Sequence, residues 1–197
     1  PKSDESDSSP KNNSVKYPDV LPILPLRGVV VYPQTAVPLT VGQPRSIRLV
    51  DDVTASESKL VGLVAARDPE QEQPGPNDLH TVGTIATVHR LLRAPGGTIR
   101  LLVQGLERFR LGEFVQEEPY LKAHVHLAPE IVEDGLEIDA LARNARDQFG
   151  QIVQLIPSFP EELAQSILGI EEPLQTVYTI ANFQRIDLPD AQKLLEI

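Results

Sequence analysis

Short apolar runs punctuated by turn residues fill the first two thirds of the chain, and a 3.6-residue apolar rhythm takes over in the last third. Residues 20–26 (VLPILPL) are apolar throughout. Pro22 and Pro25 have no N–H to give to a ladder, so the run predicts an edge strand or an extended arm. Residues 29–32 read as a buried strand and Ala36–Val41 as another, separated by Pro33, Gln34 and Thr35. A short helix then opens at Pro44, which a first turn tolerates, and runs to about Ala55. Its Ile47, Val50 and Val53 form one apolar stripe. Residues 60–66 (LVGLVAA) read as a central strand, followed by a loop rich in Pro, Gly, Asp and Glu over 68–78.

Two long runs, 82–92 and 99–111, flank Ala94-Pro95-Gly96-Gly97-Thr98, whose composition predicts a hairpin turn. Ile99, Leu101 and Val103 share one face, with Arg100 and Leu102 on the other. Gly105 interrupts the alternation and predicts a bulge or sharp bend, with Phe109 and Leu111 resuming beyond it. Over 120–127, Leu121, Ala123, Val125 and Leu127 are expected inward, and Lys122, His124 and His126 outward.

The period changes near Gly135. Leu141, Ala145, Phe149, Ile152 and Ile156 follow helical spacing, predicting a core-facing helix over 136–156, roughly 30 Å long, that Pro157 ends. Ser158-Phe159-Pro160-Glu161 resembles a capping box for a further helix that Gly169 closes. Another helix over 172–183 carries Leu174, Val177, Tyr178 and Ala181 on one side, and a last one starts behind Asp187. Strands first and helices second predict an α+β chain: a flexible polar tail over 1–17, a β-barrel-like unit over 18–131 and an all-α bundle over 132–197. Leu194, Leu195 and Ile197 close the sequence without a helix stop signal. They are therefore candidate assembly residues of a chain expected to be the front part of a longer protein, the alternative being that they pack back on the preceding helices.

Composition narrows the functional classes. The chain has 197 residues and a formal net charge of -10, a field that disfavours nucleic acid and anionic membranes. No apolar run approaches the ~20 residues of a membrane span, and the start lacks the apolar core of a signal peptide, so a cytoplasmic location is expected. With no Cys there is neither disulfide nor thiolate nucleophile. His124 and His126 share a strand face with His89 on a neighbouring run, but Zn²⁺ needs further converging ligands, and exposed strand histidines are the simpler reading. The acidic run Glu130, Glu133, Asp134, Glu137 and Asp139 straddles a helix start, where acids favour the macrodipole. No phosphate-binding GxxxxGK[ST] loop occurs. The lone Ser58-Lys59 pair lies in a charged connection, without the buried Lys and oxyanion site that a dyad requires.

Blocks of this sequence resemble a known family. Residues 21–42 (LPILPLRGVVVYPQTAVPLTVG) are similar to the opening of the N-terminal domain of Lon ATP-dependent proteases. Residues 74–88, 95–111, 179–182 (TIAN) and 190–197 (DAQKLLEI) continue in the family's order. The resemblance implies a PUA-like β-barrel subdomain followed by a helical subdomain that leads to an AAA+ ATPase and a Ser-Lys peptidase in a homo-hexamer. It also implies that ATP and Mg belong to that ATPase and that this stretch has no cofactor and no catalytic residue.

Non-catalytic substrate recognition and assembly is the reading that results. The loop carrying Tyr32, Pro33, Ala36, Val37 and Pro38 is the first candidate site. Two prolines hold it extended, and its apolar side chains suit the hydrophobic segments that unfolded or damaged proteins expose. The alternative for Tyr32 and Val37 is that they fold into the core. Arg45 and Arg48, at i and i+3, are candidates for contacting acidic substrate segments or a neighbouring subunit, against the simpler reading of a solvated face offsetting Asp51 and Asp52. A competing function is a stand-alone PUA-like ligand- or RNA-binding protein, which the charge and the lack of a basic aromatic strip oppose.

Overall fold

Backbone pairing follows the apolar runs except over residues 29–32, where no strand forms. The computed structural model describes residues 16–131, 135–157, 159–184 and 186–197. All but the last two residues of the polar tail expected over 1–17 lie outside these, as do Glu133 and Asp134 of the acidic run. Strands β1 (Val20–Leu26), β2 (Ala36–Val41), β3 (Leu60–Ala65), β4 (Val82–Arg93), β5 (Ile99–Gln116) and β6 (Lys122–Leu127) come first, with helix α1 (Pro44–Ala55) between β2 and β3. Helices α2 (Leu136–Gln154), α3 (Glu161–Leu168), α4 (Pro173–Phe183) and α5 (Leu188–Glu196) follow, so the chain is mixed α+β.

The sheet order is β2-β5-β4-β3-β1-β6, and β6 pairs again with β5. Five strands thus complete a circuit of pairing, with β2 attached along β5. The 18-residue β5 divides its outer edge between two partners. Residues Ile99 to Gln104 pair with β2, and Phe109 to Gln116 pair with β6. Gly105 sits at the changeover. There the β4–β5 register slips, with Ile85 opposite Glu107 and Ala86 opposite Gly105, which is the bulge the sequence predicts. A Cβ on Gly105 would lie 2.1 Å from the Tyr32 carbonyl oxygen, so only glycine lets the Tyr32–Thr35 turn approach this closely. The predicted hairpin turn is present too, with Gly96 at φ 91° and Gly97 at φ 83°.

Several expectations need correction. β1 is not an edge strand: it pairs with β6 from Val20 to Pro22 and with β3 from Ile23 to Leu26. The Ile23 N–H donates to Leu121 O, so odd-numbered N–H groups face β6 and even-numbered ones face β3. Pro25 therefore faces β6 beyond the end of that pairing, and Pro22 faces β3 before its pairing begins. Each missing donor falls where no acceptor waits. Val30, Val31 and Tyr32 are buried as expected and Val29 is half-buried, but none of them joins a ladder. Leu127 is exposed, at the far end of β6 where the core has run out.

The α2 stripe is rotated from the predicted one. Ala142, Phe149 and Val153 are the buried residues, while Leu141, Ile152 and Ile156 are exposed. Phe149 decides this: its ring packs edge-on to Phe159 at 6.3 Å and against Phe183 at 6.2 Å, and an aromatic outweighs an aliphatic in buried area. Helix α3 starts after Pro160, which has no side chain to cap it; Ser158 lies outside the described residues. Glu172 caps α4 instead, accepting from the Leu174 and Gln175 amides.

One cluster joins helices to sheet. Val30, Tyr32, Ala65 and Val82 pack with Tyr178 of α4 and Ala191 and Leu195 of α5. The Tyr32 and Tyr178 rings stack with centroids 4.8 Å apart and planes 8° from parallel. Tyr32 Oη donates to Ala191 O at 3.1 Å, Gln192 Nε2 to Val82 O at 3.1 Å and Arg108 Nη1 to Leu195 O at 2.9 Å. The last helix is therefore covered by its own chain. Leu195 is 1 % exposed, Leu194 is half-buried against the same cluster, and Ile197 alone of the three assembly candidates is free, at 84 %.

Burial holds both phenols protonated: Tyr32 is pushed up to about 12 from 10.0. Tyr178 is raised by burial first and then by the charge and hydrogen bond of Glu130. Unfolded tyrosines ionise near 10, so the stability these groups contribute is complete below that pH and is lost as pH rises through the folded values. The urea midpoint is expected to fall between about pH 10 and 12, and less steeply in Tyr178→Phe. Gly105→Ala is expected to cost about 3 kcal/mol in urea denaturation, the upper end for overpacking, because the clash is with backbone and cannot be relieved by a rotamer change.

Candidate functional site

The site begins with a turn that local chemistry over-determines. Pro33 presets its own φ, and Gln34 follows in the left-handed region at φ 58°, an arrangement that normally favours glycine or asparagine. Three hydrogen bonds hold it there. Gln34 N–H donates to Gly105 O at 3.0 Å, Gly105 N–H to Thr35 O at 2.8 Å, and the buried Thr35 Oγ1 to Tyr32 O at 2.7 Å. Tyr32 and Pro33 are inside, so the turn is anchored by its first half and presents its second half, Ala36 to Pro38, outward.

Beyond that turn the residues of α3 and α4 form a facing wall. A cleft of about 440 Å³ lies between Gln34 to Pro38 on one side and Ser166, Ile167, Ile170, Thr179, Asn182 and Phe183 on the other. Among the described residues that line it, none is charged, in a chain of net charge -10. Its apolar surface comes from Ala36, Val37, Pro38, Ile170 and Phe183, with Ile167 buried behind them. Asn182 and Thr179 add side-chain amide and hydroxyl groups able to bond a peptide backbone. Such a lining favours an extended, apolar, uncharged segment over an ion or a nucleotide.

A larger hollow of about 680 Å³ lies on the other flank of β2, lined by residues 24–29, 38–43 and parts of 45–74. It is the more highly charged of the two: Arg27, Arg45, Glu70 and Glu72 all border it. The uncharged cleft is the better match to an apolar ligand, although it is smaller. Pro38 borders both.

The candidate residues therefore separate. Ala36, Val37 and Pro38 come together in the cleft. Tyr32, 2 % exposed, and the buried Pro33 stand behind it, because Tyr32 is committed to the stack with Tyr178. Arg45 borders the charged hollow and donates to Glu117 O at 3.1 Å. Arg48 lies 4.0 Å from Asp52 on the surface of α1, and Asp51 pairs with Arg93 instead. Ile167, Ile170, Asn182 and Phe183 were not singled out from sequence as site residues. The available signal was Phe183, an aromatic lying off the stripe of Leu174, Val177, Tyr178 and Ala181 and so free to point elsewhere.

Among the described residues no group of three or more His, Cys, Asp or Glu side chains is placed to hold a metal. No helix among them is long and apolar enough to cross a membrane.

Comparison with known proteins agrees with the resemblance read from the sequence. The family described as the ATP-dependent protease La (LON) substrate-binding domain matches residues 20–197. The Lon protease of Dictyoglomus thermophilum is 44% identical over 185 residues, covering 94% of this chain and 23% of that protein. Lon protease 1 of Herpetosiphon aurantiacus is 42% identical over 183 residues, covering 90% of this chain and 22% of that protein. The chain thus spans less than a quarter of the length of these relatives. Among solved structures, the N-terminal domain of the Mycobacterium avium complex Lon protease shares the fold with a TM-score of 0.73 at 21% identity, covering 90% of each chain. With the family match running from the first strand to the last helix, the chain belongs to the Lon protease substrate-binding domain family.

Proposed function

We propose that this chain captures exposed apolar segments of unfolded or damaged proteins and delivers them to an ATP-dependent serine protease of the Lon type. The chain itself does no chemistry in this reading. ATP and Mg act in a separate AAA+ module, and a Ser-Lys peptidase cuts. Several copies on one cytoplasmic homo-hexamer would raise the effective concentration of individually weak sites. In this reading residues 18–131 make a PUA-like barrel subdomain, which the circuit of strand pairing supports, and residues 132–197 an α-helical subdomain.

The observation that carries this is the uncharged cleft between Ala36–Pro38 and Ile167, Ile170 and Phe183. A folded client hides its apolar side chains, so an uncharged cleft with an apolar floor of this kind selects for lost structure without reading a particular sequence. Both walls are set before a client arrives: the turn by its bonds to Gly105, the helices by the Tyr32–Tyr178 stack. Preorganisation of this kind lowers the ordering cost of binding.

Fluorescence anisotropy with labelled unfolded casein tests the site. Ala36→Asp places a charge at an exposed position of the cleft wall and is expected to weaken binding roughly tenfold, about 1.4 kcal/mol. Val37→Asp should weaken it at least as much, provided its melting curve shows an intact fold. Wild-type affinity in a folded Ala36→Asp variant would remove the cleft from the function.

A further inference from the structure

The outer face of the sheet continues the uncharged cleft. Pro38 of β2, which borders the cleft, stands opposite Leu102 of β5, and Leu102 stands opposite Arg90 of β4. The next row across the same three strands is Thr40, Arg100 and Leu92. Alternation places all six on the outer face, because Leu39, Val41, Leu101 and Val103 between them are buried in the core. All six are exposed, Leu92 at 67 % and Leu102 at 37 %. Two of them are cationic and none is anionic, in a chain with 28 Asp and Glu against 18 Lys and Arg. Arg90 and Arg100 are diagonal neighbours, about 7–8 Å apart, and repel one another. Among the described residues neither makes an ion pair, whereas Arg93 on the same hairpin is matched by Asp51.

We infer that these two arginines form a carboxylate subsite continuous with the cleft. A client whose apolar run lies between Ala36–Pro38 and Phe183 extends across β5 and sets an Asp or Glu side chain between Arg90 and Arg100. The inference rests on the client-capture reading and adds a preference to it: apolar segments with an acidic residue close by. Neighbouring strands lie about 4.8 Å apart, so Arg90 is about 10 Å from Pro38 across two strands. An extended segment rises about 3.3 Å per residue and covers that distance in about three residues. Leu102 and Leu92 offer apolar surface to the side chains in between. Charge acts over about 8 Å at physiological salt, so a carboxylate here feels the two guanidiniums more than the remote acids behind the net charge. Guanidinium forks also match carboxylate geometry and never lose their charge. The charged hollow on the other flank of β2 has no such bias, since Arg27 and Arg45 share it with Glu70 and Glu72. Two cations among aliphatic neighbours suit a peptide carboxylate better than a nucleic acid, which needs a run of basic groups and aromatic stacking surface.

Fluorescence anisotropy with two labelled peptides tests the subsite. Each carries an apolar run flanked on both sides, about three residues out, by a pair that is Glu-Glu in one peptide and Gln-Gln in the other. The Glu peptide is expected to bind about fivefold tighter at low salt, the scale of exposed charge pairs, and the margin should shrink as salt is added. Arg90→Gln with Arg100→Gln, both at exposed positions, should remove the margin and leave the Gln peptide's affinity and the melting temperature unchanged. Ala36→Asp should weaken both peptides. Equal affinities of the two peptides for the wild type, or a margin that survives the loss of both arginines, would overturn the subsite; if Ala36→Asp still weakens binding, client capture in the cleft stands. Binding of the Gln peptide that Ala36→Asp leaves untouched would remove the cleft, and the subsite with it. A single-stranded oligonucleotide that binds the wild type more tightly than the Glu peptide, and is lost in the double variant, would assign the arginines to nucleic acid and overturn the inference.

Discussion

The stack of Tyr32 on Tyr178 is the contact on which the rest of the architecture depends. It joins a residue just before the second strand to one in the fourth helix, 146 positions apart in sequence. Two rings lying 8° from parallel at 4.8 Å contribute about 0.5–1.5 kcal/mol beyond their burial. Their hydroxyls extend the link in opposite directions, Tyr32 to the Ala191 carbonyl of α5 and Tyr178 to the Glu130 carboxylate. Among the described residues Ala191, Leu195, the bonds from Arg108 and Gln192 and the approach of His80 to Glu196 at 3.9 Å add to this contact in tying the helices to the strands.

A cleft whose two walls belong to different halves of the chain is only as well defined as the joint between them. The β wall is fixed by a second constraint, the glycine at position 105, which admits the Tyr32 carbonyl where any side chain would stand. Thus the same tyrosine is gripped twice: its backbone by β5 and its ring by α4. Burying it keeps its ring out of the cleft and leaves it as a support for the wall. The exposed residues that follow, Ala36 to Pro38, inherit a fixed place opposite Ile167 and Phe183. This is how an uncharged slot is kept open in an otherwise acidic molecule.

Much of this was legible in the residues. Alternation located β5 and the hairpin, Gly105 announced the bulge, and the ordered blocks from residue 21 to 197 pointed to the Lon family. What failed did so for identifiable reasons. Pro22 and Pro25 argue against an interior strand only if partners run along its whole length, and here each partner covers half. The apolar positions of α2 contain two interleaved rows, and periodicity alone does not say which one Phe149 will carry inward. Leu195 looked uncovered because the element that covers it, β4, lies more than 100 positions earlier. For the site, the local half of the cleft was readable from its prolines. The distant half was not, since no local pattern shows which helix will face a given loop.

Hydrogen–deuterium exchange of the chain with and without unfolded casein tests the central claim most directly. If the cleft is where clients sit, amides in residues 34–40 and 166–183 should slow together on binding, because one ligand touches both walls. Slowing confined to the charged hollow around residues 24–29 and 69–74, or to α2, with residues 34–40 and 166–183 unchanged, would contradict the account.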